Sequence, residues 1–248
     1  MQNYKLLIQY EGTRYKGWQS QITTDQTIQG KFTGILSRMA GEPVDIQASG
    51  RTDAGVHARE QAAHVKLREN KDPEEIREYL NRYLPEDIAV LRVERVEERF
   101  HSRLHAVRKT YVYRIWNSPV PNVLDRRFVT VVEEPLDTKA MERAAAFLLG
   151  KHDFQSFCTK KKTKKSTVRT LEEISIKRTG EELRLTYTGD GFLYHMVRIL
   201  TGTLIEVGLH QREPEDMPGI LAAKNRERAG ALAPARGLVL WSVEYPAM

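Results

Sequence analysis

A single carboxylate stands in the stretch Gly50-Arg-Thr-Asp-Ala-Gly-Val-His-Ala58, where Asp53 lies between Arg51 and Gly55. An aspartate in Thr-Asp-Ala-Gly can simply stabilise a turn by bonding its own backbone. Held rigid and ionised, the same group is a nucleophile. A charged partner would decide between the two roles, and Arg198 is a candidate. That arginine lies among Leu193, Met196, Val197, Leu200, Leu204 and Val207, an apolar stripe at helical spacing from Phe192 to Val207. A guanidinium there must reach water or meet a carboxylate, because an unpaired buried charge is costly. Paired with Asp53 it would keep that acid ionised, which suits a nucleophile and rules out a general acid. Tyr111 and Tyr113 alternate with Val112 and Arg114 on a strand-like segment, so at least one of the tyrosines belongs to the core. The other can stack on a nucleobase, a contact worth about 1–3 kcal/mol, or move a proton through its phenol. Arg51 can bind phosphate, or fill the gap left by a base rotated out of its stack.

Other chemistries find less support. His101 and His105 are the only histidines four apart, and FHSRLHA reads as a loop running into a strand rather than a metal-binding helix. No glutamate lies between them, and neither a GxxxxGK nor a GxGxxG phosphate motif occurs. The lone Cys158 excludes an intrachain disulfide and a multi-cysteine metal site. Lysine and arginine total 39 against 33 acids, a net charge of +6 that favours an anionic partner without naming one. Its distribution says more. Lysines fill Lys160 to Lys165 except at Thr163, with further positive charge at Arg103, Arg108, Lys109, Arg126, Arg127 and Arg169. Such blocks usually belong to solvated segments, but beside aromatic-rich strands they form a track for a phosphate backbone. No apolar run approaches the roughly 18 residues of a membrane span. The start MQNYKLLIQYEG lacks the features of a signal peptide, so a cytoplasmic location is expected.

These residues need elements to position them. Lys5–Tyr10 predicts a strand that runs into the glycine- and aromatic-rich loop EGTRYKGWQSQ. Ile28, Phe32, Ile35, Leu36 and Met39 predict a helix capped by Thr24 or Asp25. Gln61–Leu67 and Ile88–Val96 predict strands, separated by a helix that starts at Asp72-Pro73 and buries Ile76, Leu80 and Tyr83. The rhythm then repeats. Arg108–Trp116 predicts a strand, and Asp137 caps a helix carrying Met141, Ala144, Ala145, Leu148 and Leu149 that Gly150 closes. Thr167–Lys177 and Leu183–Thr188 form a hairpin over Thr179-Gly180, and Leu238–Tyr245 is a last strand. The fold class expected is therefore α+β in two halves, residues 1–103 and 104–248, meeting near 100–106 with a cleft between them.

Several of these segments resemble one family in order and spacing. GRTDAGVHA at Gly50–Ala58 looks like the signature of the tRNA pseudouridine synthase A family. YEGTRYKGWQSQ, FHSRLHAVRKTYVYRI, GKHDFQSF, GFLYHMVR and APARGLVL extend the resemblance over nearly the whole chain. Ser49, where alanine is common, and His105, where a small residue is usual, are departures outside the chemistry. The resemblance implies two ferredoxin-like α/β halves sharing an extended, mostly antiparallel sheet with a central basic cleft. It implies a homodimer that grips one tRNA by its anticodon arm and isomerises uridine to pseudouridine at positions 38, 39 and 40, with no cofactor, metal or membrane partner. By the same resemblance Asp53 is the catalytic aspartate, Tyr111 the active-site tyrosine and Arg198 its basic partner. Arg51 is the arginine linked to base flipping, and Leu238 an apolar contact beneath the base. Asp53 could attack C1′, add to C6 or assist loss of the 2′ proton. Two rivals are a silent RNA-binding protein and an RNA glycosidase; the second ordinarily needs another carboxylate, which the motif lacks.

Overall fold

The computed structural model describes residues 1–159 and 166–246, and the lysine track Lys160–Lys165 lies outside the described residues. The chain forms two compact units, Met1–Val107 with Val239–Met248, and Arg108–Leu238. Each unit is a mixed α+β assembly with a mostly antiparallel sheet, as expected.

The first unit contains β1 (Gln2–Tyr10), α1 (Ile28–Ala40), β2 (Ile46–Ala48), β3 (His57–Leu67), α2 (Pro73–Tyr83) and β4 (Ile88–Val96). Burial along β1 alternates, with Tyr4, Leu6, Ile8 and Tyr10 inside, so one face of the strand serves the core. β1 pairs antiparallel with both β3 and β4, and β2 pairs antiparallel with β3. β3 is buried almost without interruption from Gln61 to Val65, the mark of a strand covered on both faces. Against the sheet lie Ile28, Phe32, Ile35 and Leu36 of α1 and Ile76 and Leu80 of α2. The cap of α1 is Thr27 rather than Thr24 or Asp25: its hydroxyl accepts from Gly30 N at 3.2 Å. Asp72 caps α2 as expected, accepting from Glu74 N at 2.9 Å. Tyr83 is not in the core but exposed, under the Arg38 guanidinium at 4.8 Å.

A buried histidine on β3 gives this unit a pH dependence. His64 is 7% exposed, with Nδ1 2.9 Å from Ser102 Oγ and its ring 4.6 Å from that of His101. Burial first, and then the His101 charge, push its pKa down to about 4 from an ordinary 6.5. The unfolded chain therefore takes up a proton at higher pH than the folded one does. The stability contribution is complete above pH 6.5 and is lost as pH falls towards 4. Urea unfolding is expected to show a loss of about 2 kcal/mol between pH 7.5 and 5 that His64→Gln lacks. Equal losses in the two proteins would remove His64 as its source.

The second unit contains β5 (Arg108–Trp116), β6 (Thr130–Val131), α3 (Thr138–Ala146), β7 (Gly150–Asp153), β8 (Val168–Thr179), β9 (Glu182–Gly189), α4 (Met196–Gly208) and α5 (Met217–Ala223). β5, β9, β8 and β7 pair antiparallel in that order, and β6 lies parallel to β5. The β8–β9 hairpin is the expected one, and Gly180 supplies the φ of +58° that its tight turn needs. Asp137 caps α3 through Ala140 N at 3.0 Å. That helix ends at Ala146, and Gly150, with φ of +91°, opens β7 instead of closing the helix. The largest departure concerns α4. It begins at Met196, not Phe192, because His195 takes a left-handed φ of +66° that no α-helix can run through. The final strand, β10 (Leu238–Glu244), pairs parallel with β3, Val239 opposite His57 and Leu240 opposite Ala58. No helix among the described residues is long and apolar enough to cross a membrane.

Candidate active site

Asp53 occupies the loop between β2 and β3, and its backbone is fixed from two directions. From β3, the wholly buried Gln61 accepts from Ser49 Oγ at 2.7 Å and donates through Nε2 to Gly50 O at 2.9 Å. Ser49 N reaches Ala62 O at 2.7 Å. From the end of β1, the Tyr10 hydroxyl lies 2.8 Å from Thr52 Oγ1. The turn closes where Val56 N donates to Asp53 O at 3.2 Å, with Gly55 at φ of +78°.

The loop EGTRYKGWQSQ that follows β1 forms the other wall. Trp18 N donates to Thr52 O at 3.1 Å, and Gly55 N donates to Tyr15 O at 3.3 Å. Tyr15 is itself held by Asp87, whose Oδ1 accepts from its hydroxyl at 2.6 Å. Two glycines permit this approach. A Cβ at Gly12 would stand 2.0 Å from Val56 O, and one at Gly17, with φ of +94°, 2.6 Å from Thr52 O. Thr52 is buried, Asp53 is half-buried and Arg51 is exposed. The packing thus leaves the arginine exposed and the acid half-buried on a loop whose backbone is held from both sides. Tyr10 and Gln61 were not singled out from sequence. Gln61 carries little signal in the sequence, because Arg59, Glu60, His64 and Lys66 make the same strand polar along its length.

In the second unit Tyr111 is 8% exposed on β5 and meets Phe192 edge to face, ring centroids 5.0 Å apart. Tyr113, on the same face, is the tyrosine that belongs to the core: its hydroxyl lies 2.7 Å from Thr130 Oγ1 and donates to Pro234 O at 2.8 Å. Burial pushes its phenol up to about 12, while the Arg198 charge acts in the opposite direction. Opposite Tyr111 on β9, Tyr187 is anchored to Thr201 of α4 at 2.9 Å. Arg198 therefore lies in the first turn of α4, not midway along a longer helix, and its Nε donates to Ala233 O at 2.7 Å. Leu238, 5% exposed, follows Gly237, where a Cβ would stand 2.8 Å from both Arg114 O and the Tyr113 ring. Asp53 and Arg51 are thus brought together on one loop, and Arg198 and Leu238 both lie near Tyr113, beside Tyr111 on β5.

Residues 6–103 and 144–246 match a family described as tRNA pseudouridine synthase. The chain is 48% identical over 245 residues to a tRNA pseudouridine synthase A of Bacillus sp. (strain KSM-64), covering 99% of this chain and all of that protein. It is 44% identical to a tRNA pseudouridine synthase A of Brevibacillus brevis, covering 99% of this chain and 100% of that one. A tRNA pseudouridine synthase A 2 of Clostridium tetani is 43% identical, with 98% of each chain covered.

Proposed function

The chain belongs to the tRNA pseudouridine synthase family, and from that premise we propose that it isomerises uridines 38, 39 and 40 of the tRNA anticodon stem-loop with Asp53 as nucleophile. It is an isomerase that acts on uridine in tRNA. The observation that carries the finer reading is the rigid loop that leaves Asp53 half-buried beside the exposed Arg51. A fixed carboxylate starts close to its attack geometry and loses little freedom on reaching it.

The reaction breaks the C1′–N1 bond of uridine, turns the ring, and joins C1′ to C5. The proton on C5 leaves to water and N1 regains one, so no oxidant or co-reactant is needed. Asp53 acts on this nucleotide at C1′, at C6, or by assisting loss of the 2′ proton. Arg198 supplies the basic group of the reaction. Arg51 fills the space vacated by the extruded base, Tyr111 stacks on that base and assists its proton transfer, and Leu238 supplies an apolar contact beneath it. A homodimer that grips one tRNA across both subunits, working in the cytoplasm, completes the reading. Carbodiimide mapping of tRNA from cells that lack the protein tests it. The pseudouridine signals at positions 38–40 are expected to disappear while those elsewhere persist; signals that persist at 38–40 would refute the assignment.

A further inference from the structure

None of the steps described above assigns a role to Gln61, Tyr10 or Thr52, yet these three polar side chains are buried, at 0%, 3% and 7% exposure. A buried carboxamide or hydroxyl is costly unless every polar atom finds a partner. Apolar residues would serve the core here as they do next door, at Leu6, Ile8, Ala62 and Ala63, all fully buried. The polar atoms of Gln61 and Tyr10 are instead spent on one segment. Gln61 grips Ser49 and Gly50, and Tyr10 grips Thr52, the residue directly before Asp53. Burial pushes the Tyr10 phenol up to about 12, so its proton stays in place at any working pH. On the far side, Trp18 N holds Thr52 O at 3.1 Å, so both the side chain and the carbonyl of Thr52 are fixed.

We propose that Tyr10, Thr52 and Gln61 are positioning residues for the isomerisation, and that the Tyr10–Thr52 hydrogen bond sets the reach of the Asp53 carboxylate without touching RNA. This rests on the reading of Asp53 as the nucleophile. The network fixes the residues that flank Arg51 and leaves the arginine exposed. It acts on the geometry of attack rather than on affinity.

Thr52→Val keeps the shape of the side chain and removes the hydroxyl; Thr52→Ser keeps the hydroxyl and removes a methyl. Single-turnover rate and tRNA affinity are measured for both, for Tyr10→Phe and for the double variant Tyr10→Phe/Thr52→Val. Thr52→Val is expected to slow the reaction by about 10–100-fold at unchanged affinity. Thr52→Ser is expected to recover most of the rate, and the double variant to be no slower than the slower single one, because both substitutions remove one hydrogen bond. Should Thr52→Val not fold, Tyr10→Phe removes the same bond from the other side and decides in its place. A Thr52→Ser protein as slow as Thr52→Val, rate losses that multiply in the double variant, or weakened binding at unchanged rate would each overturn the proposal. Asp53→Asn separates the two readings. If it is inert while Thr52→Val reacts at the normal rate, only the positioning proposal fails; if Asp53→Asn reacts normally, the nucleophile assignment fails and takes the proposal with it.

Discussion

Arg198→Leu is expected to lower kcat/KM by about 10²–10³-fold, the usual scale for removing a charged group aimed at a reacting centre. The placement of this arginine is unfavourable on local grounds. The N-terminal end of a helix carries partial positive charge, and a cation there costs about 0.3–1 kcal/mol. The first turn of α4 contains no acidic residue, and His195 makes no side-chain cap. A half-buried guanidinium at such a point either reaches water or meets an anionic group from outside its own helix. Nε is already committed to Ala233 O, which fixes the side chain along one edge and directs its remaining donors. Arg198 is half-buried, and loss of its hydrogen bond to Ala233 O is expected to lower stability in urea unfolding by about 1.5–3 kcal/mol as well. Arg198→Lys keeps the charge but not the planar fork, and should fall between wild type and Arg198→Leu in kcat/KM. An Arg198→Leu enzyme with normal kcat/KM would mean that the carboxylate needs no cation from α4.

Local periodicity carried most of the fold. β4 and β5 run between the residues that the apolar alternation marks, and Asp72 and Asp137 cap the helices that follow them. The errors share a cause: each depends on one backbone angle or one distant contact that side-chain type does not encode. The apolar stripe of α4 reads as continuous through Leu193, but the left-handed His195 breaks the helix. Thr27 outcompetes Thr24 and Asp25 because the chain enters α1 two residues later than the acidic residue marks. The short β2, β6 and β7 exist through pairing with the strands next to them in chain order, β3, β5 and β8, and β10 joins β3 by a parallel contact far apart in sequence. The site divides in the same way. The GRTDAGVHA loop is legible as a glycine-bearing turn around one acid. That Tyr10 and Gln61 hold it in place follows only from the meeting of β1 and β3.

Asp53→Asn is expected to have the largest effect on rate, about 10⁴-fold or more, as for removal of a nucleophile whose partners act as a unit with it. The amide matches the carboxylate in shape, and the backbone on either side is held by Gln61, Tyr10, Trp18 and Tyr15. Folding should therefore be undisturbed. Affinity should also persist, because binding to RNA rests mainly on contacts between basic side chains and phosphates. Rate and binding thus separate in this one variant, which a role in turn formation or in RNA binding would not allow. The most direct measurement follows tritium release from tRNA carrying 5-tritiated uridine, with tRNA binding measured on the same preparation of Asp53→Asn. Release at background with undiminished affinity is the predicted result; release at the wild-type rate would contradict the assignment of Asp53.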